Sequence, residues 1–111
     1  MGRTLLASSI MLIGSLMGNG HVRAQQIGQL GLGLVSAKQI CAECHAVEKG
    51  PSLSPNAAAP RFEDIANIPG MTATALAAAL QTSHRTMPNL VLDSGQLANI
   101  VAYIQSLKRT N

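Results

Sequence analysis

The chain has two cysteines, and both stand in one run, Cys41-Ala42-Glu43-Cys44-His45. Residues three apart lie on one face of a helical turn, so two thiols at this spacing can be offered to one partner. Four kinds of chemistry use such a pair. Covalent haem attachment needs two thiols that reach the two vinyl groups on one haem edge, followed by an imidazole held below the ring. A thioredoxin-like redox pair needs a strand before the motif and a parallel sheet around it, and no alternating strand pattern is visible. A tetrahedral zinc site would have to recruit His84 beside Cys41, Cys44 and His45, and adjacent residues such as Cys44 and His45 suit that geometry poorly. A plain disulfide in an oxidising compartment asks for nothing beyond the two thiols. The cysteine count, the histidine after the second thiol and an export signal at the start of the chain all agree with haem attachment.

An iron held by His45 would need a ligand on the opposite face, and three side chains could supply it: Met71, Met87 and His84. Buried methionine commonly only fills a core, which is the expectation for Met71 beside the Pro69-Gly70 turn. Met87 differs, because its neighbours Arg85, Thr86, Pro88 and Asn89 are not core residues. His84 reads as a solvated loop histidine. Met87 is therefore the expected ligand, with His84 as its rival.

The elements that must hold these residues are read from the rest of the chain. Residues 1–24 read as an export signal: Arg3, an apolar stretch from Leu5 to Met17, a polar stretch, then Val22-Arg23-Ala24. The stretch is shorter than the roughly 20 residues of a spanning helix. Cleavage after Ala24 leaves 87 of the 111 residues, with six basic against five acidic side chains once Arg3 and Arg23 are gone. The basic character of the precursor thus says little about partners. One Phe, one Tyr and no Trp leave nothing for bases to stack on, and nucleic-acid binding is excluded. Small domains usually need a staple, a metal or a large cofactor. The abundance of alanine, at Ala57 to Ala59 and Ala73 to Ala79, leaves room for a large flat group.

Residues 25–111 read as one all-α domain. A glycine-spaced entry (Gly28, Gly31, Gly33) leads into a helix from Leu34 to Cys44, and a loop with Pro51, Pro55 and Pro60 comes next. A short helix spans Phe62 to Asn67. Thr72 caps a third helix that runs to about Thr82. After a loop containing Pro88, Asp93 and Gln96 form a capping box for the last helix. Leu97, Ile100, Val101, Ile104 and Leu107 form its apolar stripe, and Lys108 and Arg109 favour its C-terminal dipole.

From about Gly33 to Leu107 the chain resembles the class I cytochrome c family, small monohaem electron carriers. The Cys41 to His45 motif carries most of the likeness. Ala59-Pro60-Arg61-Phe62 resembles the family's Gly-Pro-x-Leu segment, which implies that the Pro60 carbonyl accepts a hydrogen bond from His45. Thr86-Met87-Pro88, 42 residues beyond His45, resembles the axial methionine loop. Ile100 to Ile104 with Tyr103 resembles the C-terminal helix that crosses the N-terminal one, with Gly33 where the family lets those helices approach. Two departures stand out. Ala37 occupies a position where many members place an aromatic residue, which implies a looser helix contact, and no tryptophan is available to a haem propionate. Arg61 and Asn89 are the polar side chains that could take that task.

The resemblance implies a fold of three to four helices wrapped around one haem c, bound through two thioethers at Cys41 and Cys44, with its iron held by His45 and Met87. It implies an exported, periplasmic, monomeric carrier of single electrons with no residue acting as acid, base or nucleophile. Its partners would be redox proteins that dock transiently: a dehydrogenase, an oxidase or another cytochrome. A second function class stays open, a haem enzyme or a sensor of peroxide or gas in which the Met87 bond breaks.

Overall fold

The computed structural model describes residues 20–84 and 86–110, with side chains from Gln29 onward. Four helices succeed one another: α1 (Gly20–Ile40), α2 (Phe62–Ala66), α3 (Ala73–Gln81) and α4 (Ser94–Ser106). Among the described residues there is no strand, only an isolated bridge between His84 and Met87. The all-α expectation holds, and the sheet that a thioredoxin-like pair requires is missing from these residues. The expected export signal lies almost wholly outside the described residues, and only the backbone of Gly20 to Ala24 is seen, as the start of α1. No described helix is long and apolar enough to cross a membrane.

The core is the crossing of α1 and α4. Ala37 on α1 and Ile100 on α4 are fully buried, and Ile104 and Leu107 extend the same face. The contact is close rather than loose. A Cβ built on Gly33 would lie 2.1 Å from the Asn99 carbonyl oxygen and 2.6 Å from the Tyr103 Cβ, so only glycine lets the two backbones meet here. Gly33 and Ala37, four residues apart on α1, present one small-residue face to α4. Tyr103, buried beside them, donates its hydroxyl to the Val47 carbonyl at 2.8 Å. The missing aromatic at position 37 therefore does not loosen the crossing.

Two boundaries differ from the expectation. α1 runs through Gly31 and Gly33 instead of starting after them, because tertiary packing of the helix outweighs glycine's weak propensity. The helix also stops at Ile40, before the cysteine motif. The amide of Ala42 reaches back five residues to the Ala37 carbonyl, and those of Cys44 and His45 both bond the Cys41 carbonyl. The chain beyond Ile40 thus departs from the regular bonding of an α-helix, with a five-residue and a three-residue bond in succession.

The starts of α3 and α4 are capped as the sequence predicts. Thr72 Oγ1 accepts from the Ala75 amide at 3.1 Å. In the Asp93 box, Gln96 N donates to Asp93 Oδ1 at 2.8 Å and Asp93 N to Gln96 Oε1 at 3.2 Å. Lys108 does not simply complement the helix dipole. Its Nζ donates to the Met71 carbonyl at 2.7 Å, while Asn67 Oδ1 accepts from the Arg109 amide at 2.9 Å. The end of α4 is thus tied to the segment joining α2 and α3.

Candidate functional site

The motif turn places Cys41 against the core and Cys44 and His45 half-buried beside it. Burial in this apolar setting pushes the Cys41 thiol up to about 11, since a thiolate would lose its hydration. The two cysteines are free thiols and form no disulfide. No group of three or more His, Cys, Asp or Glu among the described residues is gathered so as to hold a metal. His84 does not complete a zinc set with the motif.

His45 is held from two sides. Its Nδ1 lies 2.6 Å from the Pro60 carbonyl oxygen. A carbonyl can only accept, so Nδ1 carries the proton and Nε2 keeps its lone pair free. The ring of Phe62 packs against the imidazole with centroids 5.5 Å apart and planes tilted by 53°. The bond from His45 to Pro60 is the one that the family resemblance implies.

The segment carrying Pro60 is itself locked. Asn56 N donates to the Cys44 carbonyl at 3.1 Å, Phe62 N to the Ala46 carbonyl at 3.0 Å, and Ala46 N to Ser54 Oγ at 3.0 Å. Arg61, directly after Pro60, forks onto Asp64 at 2.9 and 3.0 Å and donates a third bond to the Gly50 carbonyl at 2.6 Å. The Gly50 amide in turn donates to Glu63 Oε2 at 3.2 Å. Gly50 has a φ of +128°, which L side chains rarely adopt. The start of α2 thereby grips Gly50 through both its amide and its carbonyl. The guanidinium bond holds the Asp64 carboxyl below its usual range and raises Arg61.

Facing this wall is the segment from Thr82 to Leu92. His84 and Met87 pair across a tight turn, with Met87 N donating to the His84 carbonyl at 3.3 Å. His84 Nε2 lies 2.6 Å from the Ala79 carbonyl oxygen. Met87 is half-buried, whereas His84, Thr86, Pro88 and Asn89 are exposed.

Between the two lies a cavity of about 360 Å³, with Cys41, Cys44, His45, His84 and Met87 all on its wall. Phe62, Ile65, Leu76, Leu80 and Ile104 supply apolar surface. Cavities of about 300–1,000 Å³ are those that take up molecules of drug size. A cavity with two thiols at one end, a pre-oriented imidazole and apolar walls fits a haem c by its donors and its polarity.

Not every expectation is met. Arg61 is spent on Asp64 and Gly50, and neither it nor the exposed Asn89 lines the cavity, so the two side chains expected for a propionate are not there. Asn56 is on the wall instead, a residue that loop composition alone does not single out. Met71, expected as core filler, also reaches the cavity. His84 is more than a solvated loop residue, since its ring is anchored and faces the cavity. The clamp on Gly50 is a further feature that sequence reasoning misses, although the spacing of Arg61 and Asp64 signals a helix-face pair.

No family model matches the chain, and no solved structure matches it. Among curated proteins, cytochrome c-552 of Bradyrhizobium diazoefficiens is 36% identical over 78 residues, which make up 70% of this chain and 74% of that protein. An all-α fold, an apolar cavity lined by the Cys-x-x-Cys-His turn and this likeness over most of both chains converge on one conclusion: the chain belongs to the c-type cytochromes, electron-transfer proteins that carry haem c.

Proposed function

We propose that the chain is an exported carrier of single electrons that binds one haem c through Cys41 and Cys44, with His45 and Met87 as the axial ligands. The observation that carries this reading is the hydrogen bond of 2.6 Å from His45 Nδ1 to the Pro60 carbonyl, at the wall of the cavity that both thiols and Met87 also line. The bound group would supply one-electron chemistry by cycling its iron between the ferric and ferrous states.

The chain's own residues govern the rest. Each thiol would add its S–H across one vinyl group, sulfur and hydrogen going to the two vinyl carbons, so that two thioethers fix the ring's edge beside the motif. Pro60 makes the His45 imidazole a better donor by accepting its N–H hydrogen bond, and together with Phe62 it fixes the ring's orientation. The thioether of Met87 is a soft ligand that favours the reduced state and raises the potential relative to two imidazoles. Apolar walls act in the same direction, because they disfavour the additional positive charge of the oxidised state. Residues held by Arg61 and by the α1–α4 crossing need not move between the two states, which keeps reorganisation small.

Export to a periplasm rests on the signal pattern of residues 1–24 and is part of the proposal, as are monomeric behaviour and transient docking to a dehydrogenase, an oxidase or another cytochrome. Near-neutral charge after cleavage argues for weak electrostatic steering.

The test is an absorption spectrum of the purified protein, oxidised and then reduced, with acid-acetone extraction. Haem colour that resists extraction, sharp bands on reduction and a weak far-red sulfur-to-iron band are expected. A colourless protein from a host that attaches haem overturns the assignment. Colour without the far-red band removes Met87 as ligand.

A further inference from the structure

We infer that His84 is a reserve iron ligand, built to take the distal position when the Met87 thioether is lost. The inference rests on the reading of Met87 as the resting ligand.

Two independent features carry it. The first is placement. His84 and Met87 are the opposed residues of an antiparallel bridge. Side chains directly opposed in such a pair lie on the same side, with Cβ atoms about 4.5–5.5 Å apart, and both of these line the one cavity. A ligand at position 84 can therefore serve the space that position 87 serves, with a local shift of one turn.

The second is the state of the ring. His84 Nε2 lies 2.6 Å from the Ala79 carbonyl oxygen, so Nε2 carries the proton and Nδ1 of the neutral ring keeps the lone pair. His45 shows the same arrangement with the nitrogens exchanged: Nδ1 on the Pro60 carbonyl, also at 2.6 Å, and Nε2 free. A ring N–H held by a backbone carbonyl is how proteins fix the tautomer of a metal-binding histidine, and either nitrogen can then ligate. A histidine that serves only as solvated loop surface needs no such anchor. The wall of the cavity thus carries two imidazoles prepared in the same way, one on each side.

The consequence is functional. Met87 is half-buried and open to oxidation: a hydrogen peroxide molecule can deliver one oxygen atom to its sulfur and leave as water, giving a sulfoxide. With His84 in reserve, that loss does not leave a position open to peroxide or gases. It converts the protein into a closed, low-spin form of lower potential, because an imidazole favours the ferric state more than a thioether does.

The experiment uses the full-length, haem-loaded protein. The wild-type far-red band is read first; its absence overturns the Met87 reading itself, independently of the role assigned to His84. M87A is expected to lose that band yet stay low-spin in ferric absorption and electron paramagnetic resonance, at a lower potential. M87A/H84A is expected to become high-spin and, when reduced, to bind carbon monoxide quickly. A high-spin M87A, a low-spin double variant, or a far-red band retained in M87A (which would hand the site to Met71) overturns the inference. Should M87A load no haem, wild type and H84A treated with hydrogen peroxide decide instead. Oxidised wild type stays low-spin and oxidised H84A turns high-spin if His84 is the reserve, and equal spin states in the two overturn it.

Discussion

The two walls of the cavity are built in different ways. On the His45 side, the segment from Cys44 to Phe62 is pinned by backbone bonds to Cys44 and Ala46, by Ser54, by the Arg61 fork and by Tyr103 reaching Val47. On the Met87 side, the segment from Thr82 to Leu92 has no fully buried residue among those described, and Val91 is 97% exposed. Among its described residues the bonds are local: the turn from Met87 to His84, and Thr82 and His84 reaching back to α3. One wall is set by the fold, whereas the other depends on the helices at its two ends. Stability is never uniform across a structure, and segments with few buried contacts open first. A donor with a fixed orientation suits the first wall, and a choice between two donors suits the second.

The contrast breaks most forcefully at the helix crossing that supports the first wall. A Gly33→Ala methyl would meet the Asn99 carbonyl oxygen at 2.1 Å, and that oxygen belongs to a helix backbone that cannot rotate aside. Overpacking typically costs about 1–3 kcal/mol, and a clash with backbone belongs at or beyond the upper end. The measurement is the urea midpoint of the haem-loaded protein. A change below about 1 kcal/mol would mean that the crossing is not the element holding this wall.

Tyr103→Phe is the next step down. It removes one buried bond and leaves the Val47 carbonyl without its 2.8 Å partner, at an expected cost of about 1–2 kcal/mol. The same urea series reads it. Because Val47 opens the segment that ends at Pro60, the far-red band should stay in place while stability falls. A change of band without loss of stability would couple Tyr103 to the second wall instead.

How far the sequence alone reveals these walls depends on the range of the interactions. The cysteine motif, the Thr72 cap and the Asp93–Gln96 box are contacts within a few residues, and each is legible from residue type and spacing. The bond from His45 to Pro60 spans fifteen residues and is reachable only through the family likeness. What escapes is contact between segments remote in sequence. Gly33 is legible as a close approach only through the family likeness, with Asn99 as its neighbour seen only in the fold, and Lys108 reads as a dipole charge until the Met71 carbonyl is found. A lone arginine near an expected cofactor invites a propionate role, which is why Arg61 misleads. The structure gives its guanidinium to Asp64 and Gly50.

The clamp that Arg61 makes also sharpens the contrast, through pH. Asp64 is held below the usual carboxylate range chiefly by its bond from Arg61. A carboxyl with a lowered folded value stabilises the fold above its unfolded value, and that contribution disappears as pH falls through the folded one. D64N should therefore be less stable than wild type near neutrality, and the two midpoints should converge in acid, below the ordinary Asp range. The effect should be small, since the group is half-exposed and screened. A gap that persists unchanged at low pH would show that the carboxylate's charge is not what holds the Gly50 peptide in place.

The smallest effect belongs to the second wall and is the most direct check on its lightness. Val91 is 97% exposed, and surface substitutions away from special features usually stay within about 0.5 kcal/mol. Val91→Ser should therefore leave the urea midpoint of the haem-loaded protein almost unmoved, in contrast with Gly33→Ala. The far-red band should keep its intensity as well, because the half-buried Met87 is placed by the turn with His84 rather than by position 91. If serine there cost as much as Tyr103→Phe, Val91 would have to be buried in the loaded protein. The Met87 wall would then be as deeply anchored as the His45 wall, and it would have little freedom to exchange one ligand for another.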